Sequence, residues 1–327
     1  MSTHRIGFDI GGTKCAVLLG HGDNNHVDIV ERVAFPTAPE GGPQGVLARL
    51  ARETRAVMAK HGVKLEEVCG IGISCGGPLS SREGLVLSPP NLPGWDRIPI
   101  VKYFQDELHL PAYLQNDANA CAVAEHKWGA GRGYRNVVFL TFGTGMGAGL
   151  ILDGRLYAGT NDLGGEVGHM RLANHGPVGF GKAGSFEGWC SGGGIARLAQ
   201  ARLQEAWAAG KTSALCANTA GLEQVTAQAV FEAADAGDAL AKGVVETSAQ
   251  YLGRGLSLLI DVLNPEVIVI GSIFARRQRQ LWPECSRIIA EEAIPLAAQV
   301  CQVVPAQLGE AIGDYASLAI ANGTGDV

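Results

Sequence analysis

The sequence predicts an α/β protein made of two lobes built on the same plan, and three observations support this fold class. Residues 5–19 read as a strand, a glycine turn and a second strand. Residues 137–152 repeat the arrangement, with Thr141 in the place of Asp9. The chain has 327 residues, of which 46% are apolar, and this is enough to fill two hydrophobic cores.

The first glycine turn carries residue types that suit phosphate binding. It consists of Asp9, Gly11, Gly12, Thr13 and Lys14. Adjacent glycines let the backbone turn without a Cβ clash and bring amide N–H groups close to a ligand. A single turn of this kind is most often only a hairpin, so the phosphate hypothesis depends on the second copy.

The second turn strengthens the hypothesis. Its residues are Thr141, Gly143, Thr144, Gly145 and Gly147. Residues 143–148 also match the dinucleotide fingerprint G-x-G-x-x-G/A, but that motif requires a helix immediately afterwards. Here the chain continues into a hairpin around residues 153–154, and neither turn fits the P-loop pattern. The sequence therefore predicts two phosphate turns that face one nucleotide.

Charge and composition argue against two classes of partner. The formal net charge is −6 and the basic residues are scattered, so we expect neither nucleic acid nor an anionic membrane as a partner. The first strand is reached by Ile6, which leaves no room for a signal peptide, and no apolar run could span a bilayer. Eight cysteines without a CxxC pair indicate reduced thiols. We expect a soluble, cytoplasmic protein.

The rest of the chain alternates strands and helices, judged by hydrophobic periodicity. Further strands are expected at residues 27–35, 68–74, 110–115, 267–270 and 299–305. Helices are expected at residues 43–61, 118–128, 191–204, 225–237, 241–263, 277–293 and 311–321. The last helix is expected to return to the first lobe.

Two loops after predicted strands carry candidate binding groups. Gly77 follows the buried strand 68–74, at the end of a strand where α/β proteins often bind ligands, although it could be merely a strand end. The proline-rich loop 89–95 is stiff and could present Asn91 to sugar hydroxyls, with Trp95 as an apolar wall. Surface linkers have the same composition.

Asp117 has two interpretations. Asn116 and Asp117 stand before an alanine-rich helix, where Asp and Asn are common N-caps with no further role. The functional interpretation uses the same position, because a helix N-terminus stabilises an ionised carboxylate that can accept a proton. In phosphoryl transfer, positioning and a late proton acceptor are sufficient.

Taken together, the motifs resemble the ROK sugar kinases (repressor, open reading frame, kinase) of the hexokinase, Hsp70 and actin superfamily. Those that carry the resemblance, in chain order, are DIGGTK, GIGISCGGP, PNLPGW, QNDANA, the second glycine turn, GGEVGH and FEGWCSG. The resemblance implies a two-lobed actin-like ATPase (ribonuclease H-like) fold with a nucleotide and sugar cleft between the lobes. The smaller lobe would comprise residues 1–117 and about 308–327, and the larger lobe residues 118–307.

The resemblance also implies roles for particular residues. Asp117 would be the catalytic base, and Asp9 would hold Mg²⁺ through water, as suits an ion that keeps much of its hydration shell. Both glycine turns would bind the phosphates of ATP, and Gly271 would lie near the adenosine. The sugar would contact Gly77, Asn91, Asn116, Asp117, Glu166, His169 and Glu187. A homodimer is expected.

The chain departs from the family pattern in one place. Many members bind a structural zinc through a histidine that corresponds to His169 and through three cysteines that precede the glutamate corresponding to Glu187. In this chain, the segment GFGKAGS, residues 179–185, contains no cysteine. We therefore expect no structural zinc, since no thiolate is available there. The glycines and prolines of residues 173–184 suggest a loop that becomes ordered when sugar binds.

The sequence leaves several functions open. The most direct interpretation is an ATP-dependent hexose kinase that converts glucose to glucose 6-phosphate. N-acetylhexosamines or fructose could be the acceptor, and polyphosphate the donor. A catalytically inactive, sugar-responsive regulator is the alternative of another class; it is disfavoured because only eight residues precede Asp9, no basic recognition helix is present and the base is retained.

Overall fold

The computed structural model describes residues 3–37 and 41–323, which form mixed α/β structure. The strands are β1 (Thr3–Ile10), β2 (Lys14–Gly22), β3 (Val27–Pro36), β4 (Val68–Cys75), β5 (Leu79–Ser80), β6 (Leu85–Val86), β7 (Ala112–Asn116), β8 (Val137–Phe142), β9 (Met146–Leu152), β10 (Arg155–Tyr157), β11 (Val178–Gly179), β12 (Lys182–Ala183), β13 (Val267–Ile270) and β14 (Gln302–Pro305). The helices are α1 (Gly42–His61), α2 (Ile100–Leu108), α3 (Asp117–Trp128), α4 (Phe186–Cys190), α5 (Gly192–Ala208), α6 (Ala227–Asp235), α7 (Ala239–Leu263), α8 (Ile273–Glu292), α9 (Pro295–Val300) and α10 (Ile312–Ala319).

By their packing, the described residues divide into two units. The first contains the residues up to Phe139, then Gly149–Gly165, and finally those from Gln307 onward; the second contains Leu140–Ala148 and Glu166–Ala306. This division differs from the predicted lobes, which assigned residues 118–307 to the second. Helix α3 packs against α10 and β7 and therefore belongs with the first unit.

The first unit is built on a five-stranded sheet in the order β3-β2-β1-β4-β7. Strands β1, β2 and β3 run antiparallel as consecutive hairpins, whereas β4 and β7 lie parallel to β1 and to each other. The buried side chains of α1 and α2 join those of the sheet in one hydrophobic core. The predicted opening hairpin is confirmed.

Helix α10 packs closely on the same sheet. A Cβ atom at Gly72 would overlap the Ser317 carbonyl oxygen, so glycine is required there for the helix to approach β4. The buried carboxylate of Glu125 in α3 accepts the N–H groups of Ala130, Gln307 and Leu308, at 2.7, 3.2 and 2.9 Å. These bonds tie α3 to the segment that leads into α10, and the predicted return of the last helix is confirmed.

The second sheet has the strand order β10-β9-β8-β13-β14. Strands β9 and β10 form the hairpin predicted around residues 153–154, and β13 and β14 are parallel. Long helices α5, α7 and α8 carry the buried apolar side chains expected from their periodicity. Within the described part of the chain, no helix combines the length and apolar content needed to span a bilayer.

Two predictions of secondary structure need correction, and one helix was missed. Helix α9 occupies part of the predicted strand 299–305, because Pro295 favours a helix start and the strand begins only at Gln302. Helix α8 begins at Ile273, and the predicted start, Arg277, is instead a kink with φ −123°. Helix α2 was not predicted.

Candidate functional site

The parallel strands of the first unit end at one edge of the sheet. Ile10 is paired with Cys75, and Cys75 with Asn116, so β1, β4 and β7 end side by side. Asp9, Gly77 and Asp117 stand at or just after these ends. The structure therefore brings together three residues that are far apart in the sequence.

The proline-rich loop packs against the first glycine turn. A Cβ atom at Gly12 would lie 2.6 Å from the Asn91 carbonyl oxygen, and one at Gly76 would lie 3.5 Å from the Asn91 amide. A Cβ at Gly77 would lie 3.3 Å from Asn116 Nδ2. Asn91 thus belongs to this cluster, but Trp95 does not form a wall beside it, because its side chain is buried in the core.

The start of α3 is fixed by short-range hydrogen bonds. The Ala118 N–H donates to Asn116 Oδ1 at 3.0 Å and to Asp117 Oδ1 at 2.8 Å. Gln115 Oε1 accepts from the Asn116 N–H and from Asn119 Nδ2, at 2.9 and 3.1 Å. Asn116 is therefore the N-cap. One oxygen of Asp117 makes a local bond, while its side chain remains accessible to solvent.

The electrostatic surroundings of Asp117 differ from those expected. Desolvation by the surrounding protein raises the pKa of the carboxyl above its usual value, and the backbone N–H groups at the helix start only partly oppose this increase. The helix N-terminus alone was expected to keep the group ionised. A raised pKa brings the group closer to what a general base needs.

Asp9 lies among other charged residues. Burial raises the pKa of Asp9 to about 6, with nearby Asp314 and Asp117 adding to the increase and Arg32 opposing it. Arg32 Nε donates to both oxygens of Asp314, at 2.9 and 3.0 Å. Helix α10 begins close to Asp9, since a Cβ at Gly313 would lie 3.5 Å from its Oδ2.

This group of carboxylates suits a hard cation. Oxygen ligands are those that Mg²⁺ prefers, and the burial and neighbouring acids that raise the pKa of Asp9 disfavour its negative charge, an effect that a bound cation would offset. Among residues 3–37 and 41–323, no cluster of three or more His, Cys, Asp or Glu residues forms a direct ligand set. The single carboxylate of Asp9 fits an ion that keeps several water ligands and binds phosphate oxygens.

In the second unit, the second glycine turn is shaped by its own hydrogen bonds. Thr141 Oγ1 accepts from the Gly147 N–H at 2.9 Å, and the Gly143 N–H donates to the Gly145 carbonyl at 3.1 Å. These two N–H groups hold the turn and are not available to a phosphate. Thr144 is exposed at the tip.

Two helix starts lie beside this turn. The N–H of Gly192, the first residue of α5, donates to the Gly143 carbonyl at 2.7 Å. The Gly271 N–H donates to the Leu140 carbonyl at 2.9 Å, and Ser272, which precedes α8, faces Gly143. Gly271 therefore lies close to the turn.

Glu187 connects the turn with helix α4. Its Oε2 accepts the Met146 N–H at 3.0 Å, and a Cβ at Gly145 would lie 3.0 Å from the same oxygen. Gly168 packs against Met146 and Glu187, so the segment that bears Glu166 and His169 lies beside them. The structure thus groups the sugar-binding candidates of this unit near the turn.

His169 is exposed and is contacted by the hairpin formed by β11 and β12. Lys182 Nζ donates to the His169 carbonyl at 2.8 Å and lies 3.4 Å from Nδ1. The Phe180 ring meets the imidazole edge-on, with the ring centroids 6.1 Å apart. Residues 173–184, expected to become ordered only with sugar, here form a hairpin with its own backbone bonds.

Sequence reasoning missed three residues of these clusters: Arg32, Lys182 and Asp314. Asp314 and Arg32 are separated by 282 positions, so no local pattern could indicate their pairing. Lys182 stands within the segment GFGKAGS, but only the hairpin register places it at His169.

Comparisons with known proteins identify the family of this chain. The family model described as the ROK family matches residues 5–323. A glucokinase from Halalkalibacterium halodurans is 33% identical over 312 residues, which are 94% of this chain and 92% of that protein. The DNA-binding transcriptional repressor Mlc of Escherichia coli is 30% identical over 264 residues, which are 80% of this chain and 63% of the repressor.

Solved structures lead to the same family. The ROK hexokinase from Thermus thermophilus superposes with a TM-score of 0.77 at 29% identity, covering 98% of each chain. A ROK family glucokinase from Streptomyces griseus, solved with glucose and AMPPNP, has a TM-score of 0.72 at 27% identity, covering 97% of this chain and 99% of that one. The protein therefore belongs to the ROK family and has the actin-like ATPase fold of its sugar kinases.

Proposed function

We propose that this protein is an ATP-dependent hexose kinase that transfers the γ-phosphoryl group of Mg·ATP to a sugar hydroxyl, with glucose as the substrate. The observation that carries the proposal is the position of Asp117 at the sheet edge that also bears Asp9 and the first glycine turn. The relatives that act on glucose, and the AMPPNP and glucose bound by the Streptomyces griseus enzyme, support it.

Asp117 would act as the general base. The sugar oxygen attacks the γ-phosphorus, the bond from that phosphorus to the β,γ-bridging oxygen breaks, and ADP leaves. The hydroxyl proton passes to the Asp117 carboxylate late in the reaction. The oxygen that bonds the Ala118 N–H fixes the carboxylate's orientation, which leaves the other oxygen to accept the proton.

The phosphates would be bound by both glycine turns. In the first unit, Gly12, Thr13 and Lys14 would supply N–H, hydroxyl and ammonium donors, while the Gly11 N–H, which donates to the Lys14 carbonyl at 3.0 Å, would keep the turn in shape. Asp9 would hold Mg²⁺ through water, and the bound ion would offset negative charge on the phosphate oxygens.

In the second unit, Thr144 and the Gly145 backbone would meet the phosphates, while Thr141, Gly143 and Gly147 would keep the turn in shape. Gly271 would lie beside the adenosine.

The sugar hydroxyls would be recognised by polar groups from each unit. Gly77, Asn91 and Asn116 would contribute from the first, and Glu166, His169 and Glu187 from the second. Hydrogen bonds of this kind discriminate strongly, because an analogue that lacks a hydroxyl leaves a polar group of the protein unpaired.

A coupled ADP-release assay tests the proposal. Glucose, fructose, mannose, N-acetylglucosamine and N-acetylmannosamine would each be offered with Mg²⁺ and either ATP or polyphosphate. We expect turnover that requires a hexose and is highest with glucose and ATP. The Asp117→Asn variant is the control for contaminating kinases.

The Mlc relative makes a sugar-responsive regulator the second candidate. If no sugar stimulates ADP release, although glucose still raises the melting temperature, the regulator is favoured over the kinase. Preference for an N-acetylhexosamine or fructose would keep the kinase and correct its substrate.

A further inference from the structure

His169 is held by a lysine at a place where the family resemblance implies a metal. The residues present do not fit zinc, because residues 173–187 contain no cysteine and therefore no thiolate. Instead, the Lys182 ammonium lies 3.4 Å from His169 Nδ1 and donates to the carbonyl oxygen of the same residue at 2.8 Å.

The segment that presents Lys182 is fixed by many hydrogen bonds. The Leu172 and Ala173 N–H groups donate to the Gly184 carbonyl, at 2.9 and 3.1 Å, and the Gly184 N–H donates to the Pro177 carbonyl at 3.0 Å. Arg171 Nη1 also donates to the Ala183 carbonyl, at 2.7 Å. The ammonium is therefore presented by an ordered hairpin.

The end of the segment is anchored to α4. Ser185 Oγ accepts the Gly188 N–H at 3.1 Å and is the N-cap of that helix. The Phe186 N–H donates to the Met170 carbonyl at 2.8 Å. The residues before and after the hairpin are thus held together by a backbone hydrogen bond, and the Ser185 cap fixes the start of α4.

The chemistry of the contact favours one tautomer of the imidazole. An ammonium has three N–H donors and no acceptor, so its approach to Nδ1 requires a lone pair on that nitrogen. In the neutral ring the proton must then reside on Nε2. Such a ring offers an N–H donor on the side away from Lys182.

We propose that Lys182 is a positioning residue that holds His169 as the neutral Nε2–H tautomer, so that Nε2 donates to a substrate hydroxyl without a structural metal. The statement about the hydroxyl rests on the proposed function. The statement about the tautomer does not, and it can be tested on the protein without substrate.

The tautomer is measured by two-dimensional ¹H–¹⁵N NMR of histidine-labelled protein, with the His169 signals assigned from an H169Q spectrum. We expect the Nε2–H pattern in the wild type and a mixture of tautomers in Lys182→Met. Lys182→Arg should retain the wild-type pattern, because a guanidinium also offers only donors. The same pattern in Lys182→Met as in the wild type would overturn the proposal.

Kinetics test the consequence. Lys182→Met should raise the KM for hexose about tenfold with little change in kcat, and Lys182→Arg should recover most of the loss. Val178→Thr is the matched control, since it alters the same hairpin at an exposed side chain and should leave KM unchanged. Dialysis against a zinc chelator should also leave KM unchanged. A KM that rises on chelation and recovers with zinc would overturn the metal-free assignment.

Failure of this inference can be distinguished from failure of the proposed function. If no sugar is phosphorylated, the NMR comparison still decides whether Lys182 sets the tautomer. If sugar is phosphorylated but the tautomer is independent of Lys182, the kinase proposal stands and this inference fails.

Discussion

At the scale of single residues, the Asp9 carboxyl shows a conflict between stability and proposed function. The pKa of this group rises from an ordinary value of 3.8 to about 6 in the folded chain, because burial and neighbouring acids disfavour the charge. Protonation is therefore favoured by folding. The resulting penalty on stability is absent below about pH 4, grows as the pH rises to about 6, and is constant above that value.

We predict that Asp9→Asn stabilises the protein in the absence of Mg²⁺ and nucleotide. The gain should reach up to about 3 kcal/mol at pH 8, because the shift spans about two pKa units, and it should shrink as the pH falls toward 4. Thermal unfolding of both proteins across this pH range measures it. The same variant should lose most kinase activity. Equal melting temperatures at pH 8 would show that Asp9 carries no such penalty.

We predict that Asp117→Asn lowers kcat by at least about a hundredfold, because the amide cannot accept the hydroxyl proton. Glucose binding, measured by calorimetry, should change by no more than about threefold, since the amide keeps the shape of the carboxylate and its bond to Ala118. Turnover within tenfold of the wild type would reject Asp117 as the base.

At the scale of secondary-structure elements, helix α3 depends on a close approach to β9. A Cβ atom at Gly149 would lie 2.5 Å from the Ala118 carbonyl oxygen and 2.6 Å from the Ala122 Cβ. These distances are much shorter than van der Waals contacts, so any larger residue must displace the helix that begins with Asp117. The absence of a side chain at Gly149 thus helps to position the proposed base.

We predict that Gly149→Ala destabilises the protein by about 1 to 3 kcal/mol, the usual cost of overpacking, and reduces kcat as α3 shifts. Gly243→Ala is the matched control: this exposed glycine lies inside α7 and no atom stands within 4 Å of its Cβ position, so alanine should stabilise the helix by up to about 1 kcal/mol. Chemical denaturation measures both. A neutral Gly149→Ala would contradict the packing argument.

The elements also show what the sequence could and could not predict. The opening hairpin, α1, α7 and β13 follow from glycine turns and apolar periodicity, which are local signals. Helix α2 was missed although Ile100, Phe104 and Leu108 are its buried residues, because nine residues after a proline-rich loop give a weak signal. The start of β14 was wrong because Pro295 begins a short helix.

The same reasoning applies to the candidate site. Asp117, Asn91 and the two glycine turns stand next to predicted strand ends, so their positions could be inferred. The Arg32–Asp314 pair depends on α10 packing on the first sheet, and the Lys182 contact depends on the register of a two-residue hairpin. Such contacts are tertiary, and no local periodicity encodes them.

At the scale of the whole molecule, an apolar surface on the second unit suggests self-association. Leu258 and Val262 lie one helical turn apart in α7 and are exposed, as are Ile294, Leu296 and Val300 in or beside α9. The Ile294 N–H donates to Asp261 Oδ1 at 2.9 Å, which brings the two elements together. The expected homodimer stays a prediction, and this surface is its candidate contact, because exposed apolar side chains that lie together commonly mark interfaces.

We predict that the wild type sediments as a dimer and that the double variant Val262→Asp, Leu296→Asp sediments as a monomer, because charged side chains would be buried without partners. Analytical ultracentrifugation measures the change. Val30→Asp serves as the control, since Val30 is exposed on β3 in the first unit. A dimer that persists in the double variant would place the interface elsewhere.

The position of α10 also has a consequence for biosynthesis. As the ribosome extends the nascent chain, the strands of the first sheet emerge early, but the helix that covers Gly72 and the amides that satisfy Glu125 are made only after the second unit has been translated. One face of the early sheet therefore stays uncovered during most of translation. The need for chaperones during folding should therefore depend on how quickly the C-terminal segment that contains α10 is translated.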